Sequence, residues 1–145
     1  MTDKPTRHQT YMAMAFLLAK KSTCSRRQVA CILTDSSHRF IGSGYNGNAK
    51  GLPHCIDIPC NGALLASGHG LDMCEAIHAE QNALLQCADV DKIVSCYVTT
   101  SPCMHCVKML LNTGCQNIYY NTYYSGYEAC KKLWESTSRN WIKIN

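Results

Sequence analysis

His78-Ala79-Glu80, followed after a gap by Pro102-Cys103-Met104-His105-Cys106, is the pattern that most constrains how this chain can fold. An imidazole and two thiols can meet on one ion only if two segments far apart in sequence begin side by side. One His and two Cys fill three of the four tetrahedral positions of zinc and leave the last open for water, as a reactive rather than a purely structural centre does. Glu80, two residues past the His, need not bind metal and is placed to move protons. His105 sits inside the Cys-x-x-Cys spacer and, on a helix, points away from the face that holds both sulfurs, so it is a poor fourth ligand.

The 145 residues suit a single domain spanning 1–145 with a core that needs no disulfides. Apolar residues make up 46% and charged residues 17%, ordinary for a soluble globular protein. Met1 to Pro5 is polar, and no apolar run approaches the roughly 20 residues of a membrane span. A soluble, cytoplasmic protein without membrane contact is therefore expected. Eleven cysteines then read as reduced thiols and metal ligands, the odd count ruling out complete internal pairing. Cys31, Cys87, Cys96, Cys115 and Cys130 lie in apolar or mixed stretches and are expected as small core residues. The net charge of +4 without a basic block gives no nucleic-acid footprint.

Along the chain, residues 6–20 carry Tyr11, Met12, Ala15, Phe16 and Ala19 at helical spacing, a core-facing opening helix. Residues 28–34 and 39–44 read as a strand pair joined by the polar turn 35–38, with His38 solvated. Gly44-Tyr45-Asn46-Gly47 sets two glycines around an Asn, where backbone can approach a ligand. Residues 48–77 form a long Cys- and His-rich insertion, functional or pinned by something. A helix is expected from Glu75 to Ala88 and a strand over 93–99. A second helix starts at Ser101-Pro102, carries Cys103 and Cys106 on one face, and closes at Gly114 as C-cap. A strand over 116–120, a helix over 127–137 and a strand over 141–144 follow. This alternation gives an α/β class, helices packed on a central mixed sheet. Both ligand segments fall at helix starts, where the positive helix end favours thiolates.

Zinc held by His78, Cys103 and Cys106 lowers the pKa of water to about 7. With Glu80 as the proton carrier, such a set is expected to suit hydrolytic deamination at an amidine-like carbon, such as C4 of cytosine. A closed zinc site used only for assembly or sensing leaves Glu80 without a job.

These motifs resemble the cytidine deaminase superfamily and, within it, the deoxycytidylate (dCMP) deaminases. The resemblance runs over nearly the whole chain, through Ser22 to Val29, Gly44 to Gly47, Gly51-Leu52-Pro53-His54-Cys55, His78 to Ala83 and Thr100 to Cys106. Gln81 stands where Leu is commoner, and Ala30 where Gly is commoner. The resemblance implies a three-layer α/β/α sandwich with a central five-stranded mixed sheet, and hydrolysis of dCMP to dUMP and ammonia for thymidylate synthesis. It implies that Asn46 bonds the deoxyribose hydroxyl and that Ala79 and Ser101 present backbone groups to the base edge. For the 5′-phosphate, Arg26 is the first choice, with Arg27, Tyr123 and Tyr124 in support. Relatives of this kind are often hexamers that dCTP activates and dTTP inhibits, with Mg²⁺ accompanying the nucleotide; Asn48, Lys50 and Gly51 are the candidate contacts. A second, structural zinc is implied on Cys24 and Cys55, with His69 and Cys74 preferred over His54 and Cys60 for the rest. A nucleic-acid deaminase, acting on transfer-RNA adenosine or on single-strand cytosine, uses the same zinc motifs but needs a basic, aromatic groove, and this sequence has no basic run to supply one.

Overall fold

The computed structural model describes residues 3–24, 26–59 and 75–145. His69, Cys74 and Cys60, expected as ligands of a second zinc, lie outside the described residues. The first helix, α1, covers Arg7–Ala19 and is opened by a capping box. Thr6 Oγ1 accepts from Gln9 N at 3.1 Å, and Gln9 Oε1 accepts from Thr6 N at 2.8 Å. Its buried residues are Met12, Ala15 and Ala19. Phe16, expected in the core, is 42% exposed, because α1 lays only one narrow stripe on the sheet.

Five strands form the sheet: β1 (Ala30–Thr34), β2 (Phe40–Tyr45), β5 (Ser95–Thr100), β6 (Asn117–Thr122) and β7 (Asn140–Lys143), in the order β2-β1-β5-β6-β7. The first two pairings are antiparallel and the last two parallel, which makes the sheet mixed. Strand residues alternate between two cores. Ile32 and Tyr97 face α1, Tyr97 stacking on Tyr119. Cys31, Leu33, Cys96, Val98, Ile118 and Tyr120 face the other side. There they meet α2 (Ala79–Gln86), α3 (Met104–Leu111) and α4 (Tyr127–Glu135) through Ala83, Val107, Leu110 and Trp134. The result is the three-layer α/β/α sandwich the sequence led us to expect. Of the five cysteines assigned to the core, Cys31, Cys96, Cys115 and Cys130 are buried, while Cys87 is half-buried at the end of α2.

Three local expectations are corrected. First, the neck of the long insertion is a two-stranded ladder, β3 (Gly47–Asn48) against β4 (Ala76–Ile77). That pairing delays α2 to Ala79 instead of Glu75 and delivers His78 as its N-cap. Second, α3 begins at Met104, with Cys103 as N-cap and Pro102 just outside. Third, Gly114 is no C-cap, since Asn112 holds that position. A Cβ at Gly114 would collide with the carbonyl oxygen of Asp91, so glycine is required by close backbone approach.

Gly44 serves a similar end. A Cβ there would lie 2.7 Å from Ala79 O and 2.8 Å from Asn82 Cβ, both in the first turns of α2. The glycine thus lets the helix lie directly on β2, rather than opening backbone toward a ligand. Gly44→Ala is expected to cost about 1–3 kcal/mol through overpacking, read as a lower denaturant midpoint with unchanged slope.

Candidate active site

Two helix starts and one strand end build the site. His78 and Cys103 are both N-caps in extended conformation, with φ −69° and ψ 154°, and φ −74° and ψ 171°. A cap side chain projects from the helix end, so two neighbouring helices aim an imidazole and a thiol at one point. Cys106, one turn into α3, adds the second sulfur and is fully buried. His78 Nδ1 lies 3.4 Å from the Sγ of Cys103 and 3.4 Å from the Sγ of Cys106. Zinc bonds of about 2.0 Å to nitrogen and about 2.3 Å to sulfur put a tetrahedral N···S edge near ~3.5 Å, so the residues fit the ion. The three ligand atoms lie within 4.8 Å of one another and are the only such His, Cys, Asp or Glu group among the described residues. His105 is exposed on the far side of α3.

Charge is already prepared there. The Cys103 thiol is pulled down to about 4, chiefly because the Cys106 thiol donates to it, and His78 adds to the effect. The Cys106 thiol is pushed up by the same partnership and by burial. His78 is raised, first through its bond to Cys103. A dication held among these groups would favour ionising both sulfurs.

Glu80 lies in the first turn of α2 and is 4% exposed. Burial pushes its carboxyl up, against the lowering pull of its own backbone N–H and the Cys106 thiol. A buried carboxyl of this kind, beside the ligand cluster, has the chemistry to take up and release a proton. Gln81, the departure from the family pattern, accepts from His78 N–H at 2.9 Å and so helps set the ligand's backbone. Asn82 Nδ2 donates to Tyr45 O at 2.8 Å, tying α2 to the end of β2.

Around this centre stand the other expected residues. Asn46 is 8% exposed; its Oδ1 accepts from Ser22 Oγ at 2.6 Å and Val29 N at 2.9 Å, and its Nδ2 donates to Arg27 O at 2.7 Å. The second amide proton of Asn46 has no partner among the described residues. Ala79 opens α2. Ser101 donates its N–H to Thr122 O at 2.8 Å, and its Oγ accepts from Tyr124 N at 2.7 Å. Arg27 stacks over the Tyr124 ring at 4.7 Å and its charge is felt at His78, while Arg26 is felt at Tyr124. The tyrosine pair is split: Tyr123 turns to Tyr127 at 4.2 Å, Tyr120 and Lys143, leaving Tyr124 as the one beside Arg27. The Tyr124 hydroxyl is buried without a hydrogen-bond partner among the described residues.

Farther out, Cys24 and Cys55 are both buried, and Ile56 N donates to Thr23 O at 3.1 Å, holding their two segments together. Of the residues expected at an effector site, Asn48 donates from Nδ2 to Pro53 O, Lys50 is exposed, and Gly51 turns with φ +89°. The residue that sequence reasoning missed is Ser22, seen only as part of a motif. A buried serine two residues before a cysteine gave no further signal.

The family described as "Cytidine and deoxycytidylate deaminase zinc-binding region" matches residues 5–122. ComE operon protein 2 of Bacillus subtilis is 37% identical over 132 residues, 88% of this chain and 66% of that protein. Deoxycytidylate deaminase of Schizosaccharomyces pombe is 36% identical over 126 residues, 84% of this chain and 39% of that protein. The chain thus spans about two fifths and two thirds of those two relatives. Among solved structures, dCMP deaminase from the cyanophage S-TIM5 in apo form superposes with a TM-score of 0.75 at 25% identity, covering 97% of this chain and 99% of that one. The same enzyme in complex with dCMP and dUMP gives a TM-score of 0.75 at 24% identity, over 99% and 100% of the two chains. No helix among the described residues is long and apolar enough to cross a membrane. The chain belongs to the cytidine and deoxycytidylate deaminase zinc-binding family.

Proposed function

We propose that this chain hydrolyses dCMP to dUMP and ammonia. The observation that carries the reading is the convergence of His78, Cys103 and Cys106 beside the buried carboxyl of Glu80. The kinship to deoxycytidylate deaminases supports the choice of substrate. His78, Cys103 and Cys106 would hold zinc, which would supply hydroxide at neutral pH by lowering the pKa of water to about 7. Glu80 does the proton work. Its carboxylate takes one proton from water and gives it to N3 of the pyrimidine as oxygen joins C4. A second transfer places the other water proton on the amino group, the C4–N4 bond breaks, and ammonia leaves. Burial suits Glu80 to this, because a raised pKa lets one carboxyl act as base and then as acid.

In this reading the remaining amide proton of Asn46 meets the deoxyribose hydroxyl, and the backbone of Ala79 and the carbonyl of Ser101 meet the base edge. Arg26 and Arg27, the latter stacked on Tyr124, meet the 5′-phosphate. Three further parts of the reading rest on the family likeness. They are a second zinc on Cys24 and Cys55 with His69 and Cys74, control by Mg²⁺-dCTP and Mg²⁺-dTTP through Asn48, Lys50 and Gly51, and a hexamer. A cytoplasmic location accords with the free cysteines of the described residues.

Ultraviolet-followed deamination of dCMP, with and without Mg²⁺-dCTP or Mg²⁺-dTTP, tests this beside dCTP and a cytosine-containing single strand as substrates. Turnover of dCMP that dCTP raises and dTTP suppresses is the expected result. Activity on the oligonucleotide alone would overturn the free-nucleotide reading.

A further inference from the structure

Ser22 is 4% exposed and lies at the end of the turn after α1. Its hydroxyl faces three oxygens: Asn46 Oδ1 at 2.6 Å, Asn46 O at 2.8 Å and Arg27 O at 3.4 Å. Cys24 N donates back to Ser22 Oγ at 3.2 Å. Asn46 closes the other end of the same loop. Its backbone N–H donates to Val29 O at 3.1 Å, while its side chain bonds Val29 N and Arg27 O. One buried amide therefore staples the loop that runs from Ser22 to Val29, and that loop carries Arg26 and Arg27. The amide has a single workable orientation. Rotated by half a turn, it would set NH₂ against Val29 N–H and oxygen against Arg27 O. The Ser22 hydroxyl adds a second donor on Oδ1 and reinforces the observed orientation.

We propose that Ser22 is a positioning residue which, through Asn46, fixes the arginine loop for recognition of the substrate's 5′-phosphate. The inference rests on the nucleotide-deaminase reading above. Ser22 touches neither the ligand cluster nor Glu80 by any contact seen here, so its effect should fall on phosphate recognition and spare the chemistry. Loss of a buried hydrogen bond of this kind is worth about tenfold.

The test compares kcat and KM for dCMP, deoxycytidine and 2′,3′-dideoxy-CMP in the intact wild type, Ser22→Ala and Ser22→Thr, with bound zinc and thermal midpoint measured alongside. For Ser22→Ala, KM for dCMP should rise about tenfold with kcat within about twofold, kcat/KM for deoxycytidine should fall severalfold less than that for dCMP, and Ser22→Thr should keep the wild-type pattern. Should Ser22→Ala not fold, Ser22→Cys, with a weaker and longer donor, carries the same comparison. An equal loss on dCMP and deoxycytidine, or no change in their ratio, overturns the proposal. So does a loss confined to the contrast between dCMP and its dideoxy analogue, which would assign the network to the sugar. A wild type that does not prefer dCMP to deoxycytidine refutes the parent reading, and this inference with it.

Discussion

Glu80→Gln is expected to lower the turnover of dCMP by about 10²–10⁴-fold while leaving zinc content unchanged. The carboxamide fills the same volume but cannot take a proton from water or return one to the leaving amine. Because Glu80 is buried, its charged form is disfavoured by its surroundings, and a neutral side chain removes that cost. The thermal midpoint should therefore hold or rise as activity collapses. That opposition marks a residue kept for chemistry at the expense of stability. Metal analysis beside the ultraviolet assay decides the matter. Activity within tenfold of wild type would remove Glu80 from the proton path, and loss of zinc would make it a ligand instead.

The ligand set was legible in the sequence because local spacing and helix geometry act together. Pro102-Cys103-x-x-Cys106 specifies two sulfurs one turn apart at a helix start, and His78-Ala79-Glu80 specifies an imidazole and a carboxyl at another. The layered class, though not the strand order, was foreshadowed by the alternation of strand and helix, which favours helices packed on a mixed sheet. What stayed hidden depends on contacts between segments far apart in sequence. The β3–β4 ladder joins two-residue strands across the insertion, too short to carry a period. Gly44 read as a flexible loop position and Gly114 as a C-cap, yet both are glycine because another backbone lies against them. The arginines were visible as a pair, but the stacking of Arg27 on Tyr124 needs β6 to end beside the loop before β1. Ser22 was invisible for the same reason: its partner, Asn46, is brought to it by the hairpin of β1 and β2. Phe16 shows the converse failure, since helical spacing marks a face but does not say how much of that face the sheet can cover.

Cys106→Ser is expected to abolish activity, remove one zinc per chain, and lower the thermal midpoint by about 10 °C. The reasoning starts from the geometry of the ligand cluster. Two helix N-termini, that of α2 at His78 and that of α3 at Cys103, meet with their side chains 3.4 Å apart. Cys103 and Cys106 each bring a sulfur to 3.4 Å from the His78 ring, a spacing that suits ligands of one shared ion. An ion bound by the folded state alone at a thousand times its dissociation constant stabilises that state by about 4 kcal/mol. For a domain of this size each kcal/mol moves the midpoint by roughly 2–4 °C, which gives the expected shift. Serine keeps a polar atom near the sulfur's place but is a hard, weakly acidic ligand, so the soft thiolate site is lost. A buried cysteine outside the cluster provides the control: Cys115→Ala should also lower the midpoint through its cavity, yet retain its zinc and its turnover. The decisive readout is the response to metal. Wild-type protein stripped by a chelator should regain midpoint and activity on addition of zinc, Cys115→Ala should do the same, and Cys106→Ser should recover neither. Recovery of activity by Cys106→Ser would mean that the ion is held by a different set of ligands.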